Sequence, residues 1–556
     1  MKVIVIGGVA AGPKIASKII RNCPEAEVTI VEKGEFLSYA GCGLPYYISG
    51  EVKEQKELMA TAVGTVRDSV FFQNVKNVKV LNHTTATKID RKNKKVIVKS
   101  KDSIESSLDY DKLALATGAN PVKPPIPGIN LKNIYSLHGV EDAEGIKEKL
   151  SQHKAIDAVI VGGGLIGVEV AEAITESGGR VTIVEMLPQI LPMLDPEIAV
   201  LVEKHFEAKG VRIMTSTKVM GFEGKDEVQK VTTDKETLNA DIVILAIGVR
   251  PNVTLAASAG LEIGKTGAIK VSSQMQTSDS DIYAAGDCVE CQNRITGKPC
   301  FVPLGSTANK QGRVVANNIC DNNDSFPGVI GSSVCKVFDF VVARTGLGEK
   351  EARDAGYDVV TCLAPAPDKA HFMSTMKPLL LKLIADRKSR KLLGAQATGP
   401  GVADKRIDVA ATAISAGMTV DDVANLDLSY APPFAPAMDN IITAANVIRN
   451  KIDGLMDGIT SAEVKTKMDN NEDCVLLDVR SPAEFEQMRI EPCVHIPLGK
   501  LRNNFDKLPK DKEIISFCKI SLRGYEAALI LKSAGFKNVK VMDGGLLMWP
   551  YDKIMK

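Results

Sequence analysis

Short runs of branched apolar residues recur along the chain, and most close on glycine. Two stretches read as strand, glycine turn, helix, strand and then an acidic residue, the first from Val3 to Glu32 and the second from Ala158 to Glu185. Leu113–Ala116, Ile242–Ala246 and Ile282–Ala285 are further runs of the buried-strand type, each followed closely by glycine. Continuous apolar strands alternating with helical segments predict parallel α/β sheets covered on both faces. The proline cluster Asn120-Pro121-Val122-Lys123-Pro124-Pro125-Ile126-Pro127-Gly128 predicts a loop or inter-domain crossing, because proline removes donors and breaks helices. Beyond residue 330 the pattern changes, with a strand over Leu379–Ile384 and a helix over Val409–Ala416. Lys451–Ile459 reads as a linker, and Val475–Leu477, Ile514–Phe517 and Val539–Met542 as strands of a separate small α/β unit.

The second glycine turn is a full dinucleotide fingerprint. Gly162, Gly164 and Gly167 fit G-x-G-x-x-G directly after a strand, with Leu165 and Ile166 opening the helix. The first glycine permits the turn, the second admits a pyrophosphate, and the third lets helix and strand pack closely. The helix N-terminus offers free N–H groups to phosphate. Glu185 stands where a carboxylate accepts ribose hydroxyls and repels a 2′-phosphate, which predicts NADH over NADPH. In the first turn Gly7 and Gly12 hold the outer positions, but Val9 replaces the middle glycine. Its candidate contacts are Gly7, Gly8, Ala10, Ala11 and Gly12, with Glu32 and Lys33 after the second strand. Thr117-Gly118 and Gly286-Asp287 each close a strand and suit a flavin, with Asp287 facing its ribityl or pyrophosphate.

Composition narrows the picture. The 556 residues are 45% hydrophobic and 25% charged with a formal net charge of +1, which fits a globular protein without a nucleic-acid groove or an anionic-membrane face. No apolar run reaches the roughly 20 residues of a membrane span, and no export signal follows Met1, so a cytoplasmic enzyme is expected. Its 11 cysteines are then expected as free thiols.

With these motifs the chain resembles the pyridine nucleotide–disulfide oxidoreductase family over roughly its first 450 residues. The resemblance implies an FAD domain from two segments, 1–119 and 250–328, around an NAD domain at 120–249 that returns through Ala246–Asn252 and Gly248. A dimerisation domain at 329–450, a linker at 451–458 and a last domain at 459–556 complete the expected order. The fold class is thus α/β, with two Rossmann-like nucleotide-binding domains, an α+β dimerisation domain and a small C-terminal α/β domain.

Cys42 sits between Gly41 and Gly43 in Ser38-Tyr39-Ala40-Gly41-Cys42-Gly43-Leu44-Pro45-Tyr46-Tyr47. A helix start there is expected to favour the thiolate. Family members that use a dithiol carry a second cysteine five positions on, where this chain has Tyr47. The string resembles the single-cysteine branch: coenzyme A-disulfide reductases, NADH-dependent persulfide or polysulfide reductases, and NADH oxidases and peroxidases. In that branch a tyrosine like Tyr430 reaches across a homodimer toward the cysteine, which makes Tyr430 a candidate donor or acid. A second tyrosine often found in the branch is absent, the corresponding stretch reading His371-Phe372-Met373-Ser374. Lys14, Arg21, Lys405 and Arg406 are basic candidates for the phosphates of coenzyme A.

At the C-terminus, Cys518 ends a strand and Arg523 follows five residues later at a helix start. Inward backbone N–H groups, the helix end and Arg523 would stabilise a thiolate or persulfide. With Leu477–Phe485 and Asp543–Trp549 the segment resembles the rhodanese domain, which implies Cys518 as the sulfur-accepting nucleophile. Cys288-Val289-Glu290-Cys291, with Cys300 nearby, lacks the four ligands of a zinc site and is read as structural. His205, His495 and Trp549 are read as packing or surface residues.

The expectation is a dimeric FAD enzyme passing electrons from NADH to a small sulfur substrate through Cys42, with Cys518 handling sulfane sulfur. The rival readings are an NADH oxidase or peroxidase cycling Cys42 through sulfenic acid, and a sulfur carrier or redox sensor.

Overall fold

The structure, a computed structural model, describes residues 1–152 and 155–556. It divides into two compact units, Met1–Ile190 with Gly210–Val329, and Leu191–Lys209 with Ile330–Lys556.

The first unit holds two parallel five-stranded sheets. One runs in the order Ile282–Ala284, Lys112–Leu115, Lys2–Ile6, Glu27–Val31, Val78–Leu81. Its edge strand comes from far along the chain, so the sheet is assembled from two sequence segments. After a leading lysine, Lys2 or Lys112, the central strands are apolar and buried on both faces, as parallel sheets require. The helix Ala11–Asn22 packs against the helix Gly305–Ile319, again joining the two segments. The other sheet runs Arg212–Met214, Arg180–Val184, Asp157–Val161, Ile242–Leu245, Ile134–Tyr135. The chain crosses between the sheets and returns as a two-stranded antiparallel pair, Ala119–Pro121 with Val249–Pro251. The head of the proline cluster is therefore strand, not loop. Pro121 fits because it sits at the end of a short edge strand, where a missing N–H costs little.

In the second unit an antiparallel sheet runs Ser333–Val337, Phe340–Gly346, Leu392–Gly399, Pro378–Asp386, Val359–Pro367. The helices Ala403–Ser415 and Asn440–Ile452 pack on it. Leu191–Lys209 joins this unit through charge as well as packing. Lys382, 0% exposed, lies 2.8 Å from Asp195, 3.2 Å from Glu197 and 2.8 Å from Glu349. Three carboxylates hold its pKa above the usual lysine range against the opposing effect of burial.

The last domain is a parallel sheet in the order Gly458–Ile459, Val539–Met542, Glu513–Phe517, Cys474–Asp478, Val494–His495. Helix Asn440–Ile452 runs into the segment read as linker, so Lys451 and Ile452 are helical and only Asp453–Asp457 connects the two domains. Lys451 ion-pairs with the buried Asp543 and donates to the Thr361 carbonyl at 2.8 Å. No helix among the described residues is long and apolar enough to cross a membrane.

Candidate active site

Two nucleotide turns in the first unit share one local plan. Gly7 has φ +110°, and a Cβ there would sit 2.1 Å from the Ala116 carbonyl oxygen. Gly162 repeats this at φ +105°, with the Ala246 oxygen 2.5 Å from such a Cβ. Gly12 and Gly167 press against the preceding turn, where added Cβ atoms would meet the Gly7 and Gly162 oxygens at 1.8 and 2.1 Å. These glycines are required by close backbone approach.

Glu32 and Glu185 do more than the sequence suggested. Glu32 accepts from Gly8 N–H at 2.6 Å and from Gly34 N–H at 2.7 Å. Glu185 accepts from Gly163 and Leu187 N–H, both at 2.7 Å. Each carboxylate is buried and locks its own turn, while the remaining lone pairs stay available to ribose hydroxyls.

Space for a cofactor appears beside these turns. A Cβ on Gly164, Gly118 or Gly248 would meet nothing within 4 Å. Gly164 is the N-cap of the helix Leu165–Glu176, so its open side faces the positive helix end. Thr117 uses its hydroxyl to reach the Asn252 carbonyl at 2.8 Å, which joins the outgoing and return segments. The chemistry fits a dinucleotide at each turn, and Gly7–Gly12, Glu32, Lys33, Thr117, Gly118 and Asp287 are the residues that would hold FAD. Gly162–Gly167, Glu185 and Gly248 are the residues that would hold NAD(H).

Cys42 lies in a single 3-10 turn, Gly41–Gly43, that runs into the helix Leu44–Ser49. The residue is exposed. The expected lowering of its pKa does not occur. Withdrawal of water raises the thiol above its usual range, the charges of Glu169 and Asp287 raise it further, and only its own backbone N–H opposes them. A one-turn helical start is too weak to outweigh desolvation and two carboxylates. Glu169 was missed by sequence reasoning. It stands two residues after Gly167 in the second βαβ unit, and only the fold brings it toward Cys42. Burial and then Glu172 push Glu169 up to about 7, and burial pushes Asp287 up to about 6. Tyr47, at the place of the second family cysteine, holds Lys147 Nζ 3.8 Å from its ring centroid.

Tyr430 and Phe372 are exposed on the second unit, and the loops carrying them are tied by Ala370 N–H to the Pro432 carbonyl at 3.3 Å. Arg406 is not available to a phosphate. It is 1% exposed, spans Asp439 through bonds of 3.1 and 2.9 Å, and donates to the Asp368 carbonyl at 2.8 Å. Lys405 lies 4.0 Å from the same Asp439.

In the last domain Cys518 is 1% exposed. Ser521 at φ +76° turns the chain into the helix Leu522–Ser533. From outside, Leu546 and Leu547 N–H groups donate to the Cys518 and Lys519 carbonyls at 2.9 and 3.1 Å. A Cβ on Gly545 would sit 2.4 Å from the Cys518 oxygen, which explains a glycine there. Arg523 makes a bidentate pair with Glu484, both bonds 2.7 Å, and also reaches the Cys518 sulfur. The Arg523 bond holds Glu484 at about 2 against the effect of burial. Glu484 is thus a second residue that sequence reasoning did not single out. His495 stacks on Phe485 at 4.1 Å and Trp549 is buried, as expected of packing residues.

The family model for pyridine nucleotide-disulphide oxidoreductases matches residues 1–312. The chain belongs to this family. The family's dimerisation domain matches 332–442 and a rhodanese-like domain matches 460–550. Membership makes the chain an FAD-dependent NAD(P)H oxidoreductase. A persulfide reductase from A. fulgidus, described as NAD-dependent, is 47% identical, with TM-score 0.95 over 99% of this chain and 100% of that one. The reduced CoADR-RHD of Bacillus anthracis is 37% identical, with TM-score 0.93 over 99% and 97%. The NAD(P)H coenzyme A polysulfide/persulfide reductase of Pyrococcus horikoshii is 38% identical over 449 residues, 81% of this chain and 98% of its own.

Proposed function

We propose that the protein is a cytoplasmic homodimer that reduces persulfides and polysulfides, including those of coenzyme A, with NADH. The observation that carries this reading is a lone exposed Cys42, with Tyr47 where a resolving cysteine would stand, in one chain with a Cys518–Arg523 sulfur loop. The similarity to proteins named for persulfide and coenzyme A polysulfide reduction supports it.

Bound FAD and NADH supply the two electrons. The Cys42 thiolate attacks the sulfane sulfur of RS–SH, forming a Cys42 persulfide and releasing RS⁻. Two electrons then return that sulfur as HS⁻ and regenerate the thiolate. The sum is NADH + H⁺ + RSSH → NAD⁺ + RSH + H₂S. Glu169, held near 7, is suited to take the Cys42 proton at neutral pH. Tyr430 is the proposed donor to the leaving thiolate. Cys518 accepts or delivers sulfane sulfur, with Arg523 steadying its charged forms and Glu484 fixing Arg523.

Steady-state NADH oxidation by the holoenzyme on tetrasulfide, coenzyme A persulfide, coenzyme A disulfide, peroxide and oxygen tests the proposal. The sulfane substrates are expected to have the highest kcat/KM. Faster turnover on oxygen or peroxide would favour the oxidase reading, in which the Cys518 loop has no task.

A further inference from the structure

The C-x-x-C pairing of Cys288 with Cys291 does not form in three dimensions. Cys288 is fully buried and its thiol is committed to the Ala285 and Leu115 carbonyls at 3.3 and 3.6 Å. Cys291 instead faces Cys300. They are cross-strand partners in the antiparallel ribbon of Cys291–Gln292 and Pro299–Cys300, with their sulfurs 3.7 Å apart. Both are half-buried. The ribbon closes through Asn293, whose N–H donates to the Lys298 carbonyl at 2.9 Å and whose side chain accepts from Ile295 and Thr296 N–H.

Facing residues of antiparallel strands have Cα atoms about 4.5–5.5 Å apart. That lies within the range of about 4.4–6.8 Å over which a disulfide closes. The hydrogen bond between the thiols lowers the Cys300 pKa against the effect of burial.

We propose that Cys291 and Cys300 form a redox-active dithiol that sulfane-sulfur compounds oxidise to a disulfide, a modification site additional to Cys42 and Cys518. The class of oxidant rests on the function proposed above. The Cys300 thiolate attacks the sulfane sulfur of RS–SH, forming a Cys300 persulfide and releasing RS⁻. Cys291 then attacks the Cys300 sulfur, forming the Cys291–Cys300 bond and expelling HS⁻. The two thiols lose two electrons and the persulfide bond gains them. The products are the disulfide, RSH and H₂S, with both thiol protons carried away on them.

The test uses the full-length C42S holoenzyme, incubated anaerobically with sodium tetrasulfide, blocked with N-ethylmaleimide and mapped by mass spectrometry without reduction. The expected result is a peptide pair joined through Cys291 and Cys300, reversed by dithiothreitol and absent in C42S/C300A. Complete blocking of both thiols, a Cys288–Cys291 link, or persulfide adducts without a link would overturn the proposal. Both thiols are native in the C42S chain, so the decisive readout does not depend on folding of the second variant. Wild-type NADH oxidation with the same tetrasulfide is read separately. No turnover with the link present defeats the reductase reading alone, and turnover without the link defeats this inference alone.

Discussion

Replacing Gly164 by alanine separates two meanings of a glycine in the second nucleotide turn. The backbone at Gly164 is extended, with φ −77° and ψ −175°, a conformation alanine adopts without strain. A methyl group there meets nothing within 4 Å, so the fold loses no contact. Removing a glycine from the unfolded chain even stabilises by about 0.4–1 kcal/mol. The methyl group enters the space where backbone is expected to approach a pyrophosphate. Losing one amide-to-phosphate hydrogen bond costs about 1.5–3 kcal/mol, or about 10- to 150-fold in affinity. The poorer N-cap that alanine makes offsets the gain from the unfolded chain, so G164A should leave Tm close to wild type while raising the KM for NADH by at least tenfold. G167A is the contrast, because its methyl group would lie 2.1 Å from the Gly162 oxygen and should lower Tm. Far-UV melting and NADH titration on the same preparations measure both. An unchanged KM for NADH in G164A would refute the reading of this turn as the nicotinamide nucleotide's cradle.

Alkylation of Cys42 by iodoacetamide, followed by mass spectrometry across pH, should accelerate on the alkaline side of the usual thiol range. E169Q removes one of the charges that raise the thiol and should move that profile to lower pH. E484Q removes the carboxylate charge and one of the two oxygens that accept from Arg523 at 2.7 Å. Both side chains are about one-third exposed, so solvent screening leaves about 1–2 kcal/mol, or about tenfold in thiosulfate sulfurtransferase turnover. A carboxylate held at about 2 contributes its stabilisation fully above its ordinary pKa and loses it as pH falls toward 2. Melting curves of E484Q and wild type should accordingly differ at pH 7 and converge in strong acid. C518S should abolish sulfurtransferase activity and leave NADH-driven reduction of tetrasulfide within about twofold of wild type.

What was legible in the sequence was local. Gly7, Gly12, Gly162 and Gly167 announce their turns because each is forced by the chain's own close approach. The parallel sheets were visible in runs such as Ile242–Leu245, which is buried at every position. What escaped depends on elements far apart in sequence. Burial, and then the charges of Glu169 and Asp287 from another sheet's helix and a distant strand end, reverse the pKa shift expected of Cys42 from the local turn. Arg406 reads as a surface cation until Asp439 and Asp368 enclose it. Cys291 has Cys288 nearby in sequence, yet strand pairing gives it Cys300. Lys382 and its three carboxylates assign Leu191–Lys209 to the second unit, although sequence order places that helix within the nucleotide domain.

The central assertion is that electrons from NADH reach an incoming sulfane sulfur only by way of the thiol at position 42. Anaerobic assay of sulfide and NADH together, wild type beside C42S with FAD content matched, tests it most directly. Wild type should release one sulfide per NADH from coenzyme A persulfide, and C42S should oxidise no NADH and release no more than the single sulfide per chain that the Cys291–Cys300 thiols supply. Sulfide release by C42S at the wild-type rate would contradict the account.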